Sequence, residues 1–262
     1  MNPLLKAGTS FSPLSLSPAL WLDASDQSTL YQDRTGASAT TLVASDADPV
    51  GTWRDKSGNA RHATAASDAA RPTFKTGIKN GRSVVRFDGV NDGLLGGTTQ
   101  FVQTTSAFSI FIIYKLTGSA MYPTLFSTNT NQAQNFRIIE SNQAQYETIG
   151  FGSQSGFALG RASGATVRGN YYISNVTYNG SGATTRSNFE IIIDGSSKTL
   201  SSVPLGYGLD STSGFGVGMQ SNSTNPMEGD MAELIIYNFS LSTSQRQKVE
   251  RYLASKWGIT LS

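Results

Sequence analysis

The sequence predicts an all-β protein in which two antiparallel sheets pack face to face and a single helix closes the C-terminus. Three observations predict it. Short runs rich in Val, Ile, Tyr, Phe and Thr recur between clusters of Gly, Asn, Asp and Ser, which is strand-and-turn punctuation. Ser, Thr, Asn and Gly together supply about 40% of the 262 residues while charged residues supply 15%, against ~25% in an average domain. A helical pattern with caps at both ends occurs convincingly once, near the C-terminus.

In chain order, residues 1–18 come first, with three prolines (Pro3, Pro13, Pro18) that pre-extend the backbone. Leu4, Leu5, Phe11, Leu14 and Leu16 give this segment apolar side chains that its own length cannot bury. It reads as an extended arm suited to a neighbouring subunit, and it has no continuous apolar run of the kind a secretory leader needs. From residue 19 to 262 neither a repeat nor a linker interrupts the pattern, so one domain is expected.

Strands are expected at Val84–Phe87, Phe108–Leu116, Phe136–Glu140, Tyr146–Phe151, Tyr171–Tyr178, Phe189–Ile193, Phe215–Met219 and Met231–Tyr237, within a total of about a dozen. In Phe108–Leu116 the alternation puts Phe108, Ile110, Ile112 and Tyr114 on one face and Ser109, Phe111, Ile113 and Lys115 on the other. Both faces are substantially apolar, which marks a central strand. Asp194-Gly195 after Phe189–Ile193 is a hairpin turn. Ser242 and Gln245 form a capping box; Val249, Tyr252, Leu253 and Trp257 share one face; Gly258 stops the helix. The helix Ser242–Trp257 is expected across an edge or end of the sandwich.

Composition also removes function classes. Without cysteine there is no thiol nucleophile, Cys-based zinc site or disulfide, and with one histidine, His62, there is no His-rich metal site. His62 stands beside a turn and reads as a turn or surface residue. The net charge of +2 has no basic track, because Arg246, Lys248, Arg251 and Lys256 are spread along the predicted helix, so no nucleic-acid partner is expected. No apolar stretch approaches the ~20 residues of a membrane span, so no membrane insertion is expected.

Three stretches carry a resemblance: Ala19-Leu20-Trp21-Leu22-Asp23-Ala24-Ser25-Asp26; Trp53-Arg54-Asp55-Lys56-Ser57-Gly58-Asn59; and Asn80-Gly81-Arg82-Ser83-Val84-Val85-Arg86-Phe87-Asp88-Gly89. With the ending Gly229-Asp230-Met231-Ala232-Glu233-Leu234-Ile235-Ile236-Tyr237-Asn238 before a helix, the chain resembles the laminin-G-like branch of the concanavalin A-like lectin/glucanase superfamily, of the bacterial and phage type. The resemblance implies a jelly-roll sandwich. It also implies a sheet-rim calcium, for which Asp88, Asn91 and Asp92 offer three side-chain oxygens between glycines. The glycan-binding candidates are aromatics in Gly-rich or polar loops, Tyr122 and Tyr207, whereas Trp21, Trp53 and Trp257 read as core.

The string Glu228-Gly229-Asp230-Met231-Ala232-Glu233 has the Glu-x-Asp-x-x-Glu spacing of laminarinase-type glucanases. In an unbroken strand Glu228 and Asp230 face one way and Glu233 the other; a bulge, which Gly229 and Ala232 permit, brings them together. Because the string also matches the ordinary ending of the resembled family, no catalytic residue is assigned and a non-enzyme is expected. The resembled fold usually works outside cells, yet no export signal is read. A phage virion protein, a capsid decoration or tail-fibre component, reconciles the two. Made in the host cytoplasm, it would sit on the virion surface, hold other capsid or tail proteins through its arm and face cell-surface polysaccharide. The alternative is an extracellular glycan-binding module of a bacterial surface or secreted protein, and a laminarinase-type glycosidase is more remote.

Overall fold

The computed structural model describes residues 11–97, 102, 106–120, 122–128, 136–139, 161–162, 166–181, 186–201 and 214–262. Its strands are β1 (Leu20–Asp23), β2 (Leu30–Tyr31), β3 (Thr52–Trp53), β4 (Ala63–Ala65), β5 (Thr73–Lys79), β6 (Arg82–Asp88), β7 (Leu94–Gly96), β8 (Phe108–Leu116) and β9 (Thr124–Thr128). They continue as β10 (Phe136–Ile139), β11 (Arg161–Ala162), β12 (Tyr172–Tyr178), β13 (Phe189–Ile193), β14 (Ser196–Lys198), β15 (Leu200–Ser201), β16 (Phe215–Val217) and β17 (Glu228–Tyr237), before helix α1 (Thr243–Trp257). Tyr146–Phe151, expected as a strand, lies outside the described residues.

The strands form two antiparallel sheets. The first runs β14-β13-β12-β8-β17-β6-β5, with β1 also paired to β17; the second runs β10-β9-β16-β7-β4-β3-β2. A separate ribbon pairs β11 with β15. Leu22, Phe74, Val85, Phe87, Ile110, Ile112, Leu234 and Ile236 from the first sheet meet Trp53, Leu94, Phe126 and Phe215 from the second in the main core. Each fully buried side chain of this size contributes ~1.5–3 kcal/mol.

The first sheet is also covered on its outer face. Helix α1 lies there, with Val249, Leu253 and Trp257 packed on Trp21, Phe111, Ile113, Ile235 and Tyr237. This corrects the expected seat at an edge or end, and it explains why β8 is apolar on both faces. The capping box at Ser242 and Gln245 is present, and Gly258 terminates the helix at φ 60°. The turn between β5 and β6 supplies the C-terminal cap. Lys79 Nζ donates to the Gly258 carbonyl (3.1 Å), while Asn80 Nδ2 (3.0 Å) and Arg82 Nε (2.8 Å) donate to that of Lys256, so cations meet the negative end of the helix dipole.

Of the expected arm, residues 11–18 are described, and they are not extended. Pro13–Leu16 form a 3-10 turn, capped when Leu14 N donates to Ser12 Oγ. Phe11 and Leu16 pack against the outer cluster, and the Tyr237 hydroxyl donates to the Pro13 carbonyl (3.3 Å). Leu14 is 49% exposed. Leu4 and Leu5 lie outside the described residues.

Candidate functional site

The motif residues at the start of the chain act as a stitch. Asp55 Oδ1 accepts from the amides of Trp21 (3.0 Å) and Ser57 (2.8 Å), and its Oδ2 accepts from Ser57 Oγ (2.7 Å) and Arg61 N (3.0 Å). Asn59 Nδ2 donates to the carbonyls of Pro18 and Ala19, so this turn holds the entry to β1. His62 Nδ1 accepts from Asp55 N (3.1 Å), and burial depresses its pKa. It is a turn residue, as its position suggested.

The string 228–233 contains the bulge that one-sidedness requires. Met231 pairs with Tyr114 and Glu233 with the adjacent Ile113, so Ala232 is the extra residue. It stands where the partner on the other side of β17 changes from β6 to β1. Beyond the bulge Glu233, Ile235 and Tyr237 face outward, and before it Asp230 and Glu228 do too, so the three carboxylates share the outer face.

Their surroundings separate them. Glu233 lies beneath α1, where it accepts from Trp21 Nε1 (2.7 Å), Trp257 Nε1 (2.7 Å) and Tyr252 Oη (3.2 Å) and pairs with Lys256 (2.8 Å). Burial raises its pKa, with neighbouring Asp23 adding to the effect. Lys256 and Lys56 overcome burial at Asp23 and hold it below the usual carboxylate range. Asp230 is fully buried but accepts from Arg86 Nε (2.6 Å) and Nη2 (3.0 Å), accepts from Tyr171 Oη (2.6 Å) and pairs with Lys115 (3.0 Å). Burial works to raise this carboxyl, yet those donors win and its pKa is lowered. Glu228 is exposed, and its carboxylate makes no hydrogen bond or ion pair among the described residues.

Next to Asp230, on the part of the outer face that α1 leaves open, is a cleft of about 660 Å³. Strands build its walls: Thr73 on β5, Arg86 on β6, Lys115 at the end of β8 and Glu228 on β17, with Arg71 and Asp92 from flanking loops. Backbones approach closely here. Gly229, at φ 147°, could not carry a Cβ without striking the Lys115 carbonyl oxygen.

Of the expected calcium residues, Asp88 and Asp92 lie in the wall of this cleft, and their oxygens serve the turn. Asp88 Oδ1 accepts from the amides of Val90 (2.8 Å), Asn91 (3.2 Å) and Asp92 (3.2 Å), while Asp92 Oδ2 accepts from Asp88 N (3.0 Å). Burial, with Asp88 beside it, pushes the Asp92 carboxyl up to about 7. Among the described residues no group of three or more His, Cys, Asp or Glu could hold a metal ion. Asp88 Oδ1 and Asp92 Oδ2 thus serve the hydrogen bonding of the loop between β6 and β7. Tyr122 is half-buried outside this cleft, and Tyr207 lies outside the described residues.

The sequence reading missed Arg86 and Lys115 as site residues. The signal was there: each is a cation near the end of its strand, where alternation puts it on the outer face with Val84 or Ile113.

No protein-family model matches the chain, and no curated protein matches it in sequence. Solved structures share its fold. A GH54 α-L-arabinofuranosidase soaked with 4-nitrophenyl α-L-arabinofuranoside matches with TM-score 0.67 and 15% identity over 94% of this chain and 66% of that one. Trypanosoma rangeli sialidase in complex with sialic acid matches with TM-score 0.53 and 12% identity over 86% of this chain and 36% of that one. The binding domain of Paraclostridial Mosquitocidal Protein 1 matches with TM-score 0.53 and 12% identity over 80% of this chain and 51% of that one. The chain thus spans about a third of the sialidase's length. At such identities the likeness establishes a β-sandwich shared with glycan-processing proteins. It also corrects the expectation of a non-enzyme: two of these three structures are enzymes, so the fold gives no ground for excluding catalysis.

Proposed function

We propose that the chain is a lectin-like carbohydrate-binding domain that takes a saccharide in the cleft between Arg86, Lys115, Asp92 and Glu228. The observation that carries this reading is the cleft's composition. Cations and carboxylates alternate on rigid strands, and Glu228 is an acceptor left open to solvent. Sugar hydroxyls each donate and accept, so they need both kinds of partner held side by side. The fold supports the reading, since this sandwich occurs in proteins that process arabinofuranosides and sialic acid. Kinship with the concanavalin A-like, laminin-G-like lectins belongs to the same reading and is supported by the two-sheet architecture. Display on a phage particle is compatible with a saccharide-binding domain, but the comparisons lend it no support of their own.

A glycan array probed with the purified chain, followed by calorimetry on the retained sugar, tests the proposal. Glu228→Ala weakens binding tenfold or more with an unchanged melting temperature. No retained saccharide, or an affinity equal to the parent's in both Glu228→Ala and Arg71→Ala, overturns it.

A further inference from the structure

A second cleft, of about 720 Å³, opens on the same outer face beside the C-terminal half of α1. Lys248, Arg251, Tyr252 and Ser255 line it from one helix flank at spacings of three and four. Its floor cations are neutralised. Lys56 pairs with Asp23 (2.9 Å) and Asp26 (2.7 Å), and Lys256 with Asp23 (2.7 Å) and Glu233 (2.8 Å). Its rim cations are different. The side chains of Lys248 and Arg251 are exposed and make no hydrogen bond or ion pair among the described residues, and the Arg82 guanidinium donates only through Nε, to the Lys256 carbonyl.

Counting Glu233 under the floor, five cations face three carboxylates. The surplus equals the formal net charge of the whole chain, +2, so the protein's excess positive charge is matched at this one place. Phe11 and Tyr252 meet edge to face there, with ring centroids 6.1 Å apart, and give the cleft an apolar wall.

We infer that this cleft binds an acidic saccharide, its carboxylate or sulfate groups held by Lys248, Arg251 and Arg82 and its ring against Phe11 and Tyr252. Guanidinium and ammonium heads suit such groups, and an aromatic wall suits the C–H face of a sugar. Asp26 on the floor pairs with Lys56 and accepts from Ser28, which leaves the rim cations as the groups that meet an anion. The anionic half of this inference rests on the charge of this cleft alone, and the saccharide half rests on the function proposed above.

The test uses the full chain against polygalacturonate, dextran sulfate, neutral dextran and a random single-stranded DNA oligonucleotide, at low and moderate salt. We expect binding to at least one acidic polysaccharide and none to neutral dextran. Lys248→Glu/Arg251→Glu weakens that binding tenfold or more at unchanged melting temperature, whereas Lys198→Glu, a charge reversal on β14, leaves it intact. Failure to bind either acidic polysaccharide, equal binding by the double variant, or DNA bound as tightly overturns the inference. If that failure comes while sugars are still held at Glu228, only the second cleft falls. Acidic polysaccharide bound here with no Glu228-dependent sugar overturns only the first.

Discussion

Asp230, beside the first cleft, and Asp92, in its wall, are both raised by burial yet end on opposite sides of the usual carboxylate range. Asp230 has two cations and a tyrosine hydroxyl directed at it, so ionisation is favoured despite complete burial. Replacing it with alanine leaves Arg86 and Lys115 facing each other without a counter-charge and costs about 3–5 kcal/mol in urea unfolding. Asp92 is buried beside the Asp88 carboxylate with only one backbone amide to offset this, so its pKa is raised to about 7. A group whose pKa rises from ~3.9 in the unfolded chain binds its proton more tightly when folded. It therefore stabilises at low pH, and that contribution declines as pH rises from ~4 and is gone above about 7. Asp92→Asn keeps the acceptor for Asp88 N and removes the charge. At pH 8 it should gain on the order of 2 kcal/mol, a few degrees in melting temperature, and at pH 4 nothing. Equal effects at the two pH values would exclude this account. The three outward carboxylates were legible as a set because their spacing is written in the chain. Their separate roles were not, because each depends on partners far away in sequence: Arg86 for Asp230, Trp21 for Glu233.

At the scale of elements, α1 and β8 show what alternation and capping reveal and what they leave open. Ser242, Gln245 and Gly258 define the helix from local chemistry alone, and the structure has it at Thr243–Trp257. Ser242→Ala should cost about 1 kcal/mol, and Leu253→Ala, which empties a fully buried site under the helix, about 2–5 kcal/mol. The difference between the two, read from denaturant midpoints, separates the helix's own stability from its docking. Where the helix docks could not be read from the helix. The clue lay in β8, whose outward Phe111 and Ile113 needed a cover, but one strand's apolar second face does not say which element supplies it. The short strands β2, β3, β4 and β7 were missed for a related reason. At two or three residues they are too brief for period-two patterning, and their partners alone hold them in place.

The whole molecule is a three-layer stack of sheet, sheet and helix, with residues 11–18 seated on the outermost layer. Removing residues 2–17 should lower the melting temperature by several degrees, since Phe11 and Leu16 leave the outer cluster and the Tyr237 hydroxyl loses the Pro13 carbonyl. A melting temperature equal to the parent's would show that the 3-10 turn contributes nothing. The position of β17 carries a further consequence. Residues 228–237 lie near the end of the sequence, yet they sit between β8 on one side and β6 with β1 on the other. Before that segment docks, β1, β6 and β8 have no common neighbour, and the first sheet is two separate pieces and an unpaired β1, with open hydrogen-bonding edges. Such a chain has a high contact order, so it should refold slowly, in milliseconds to seconds, through a species prone to edge-to-edge association. Polypeptides ending before residue 228 should accumulate as aggregates, while the full chain, diluted from urea at low concentration, recovers its two-sheet form in a late, cooperative step.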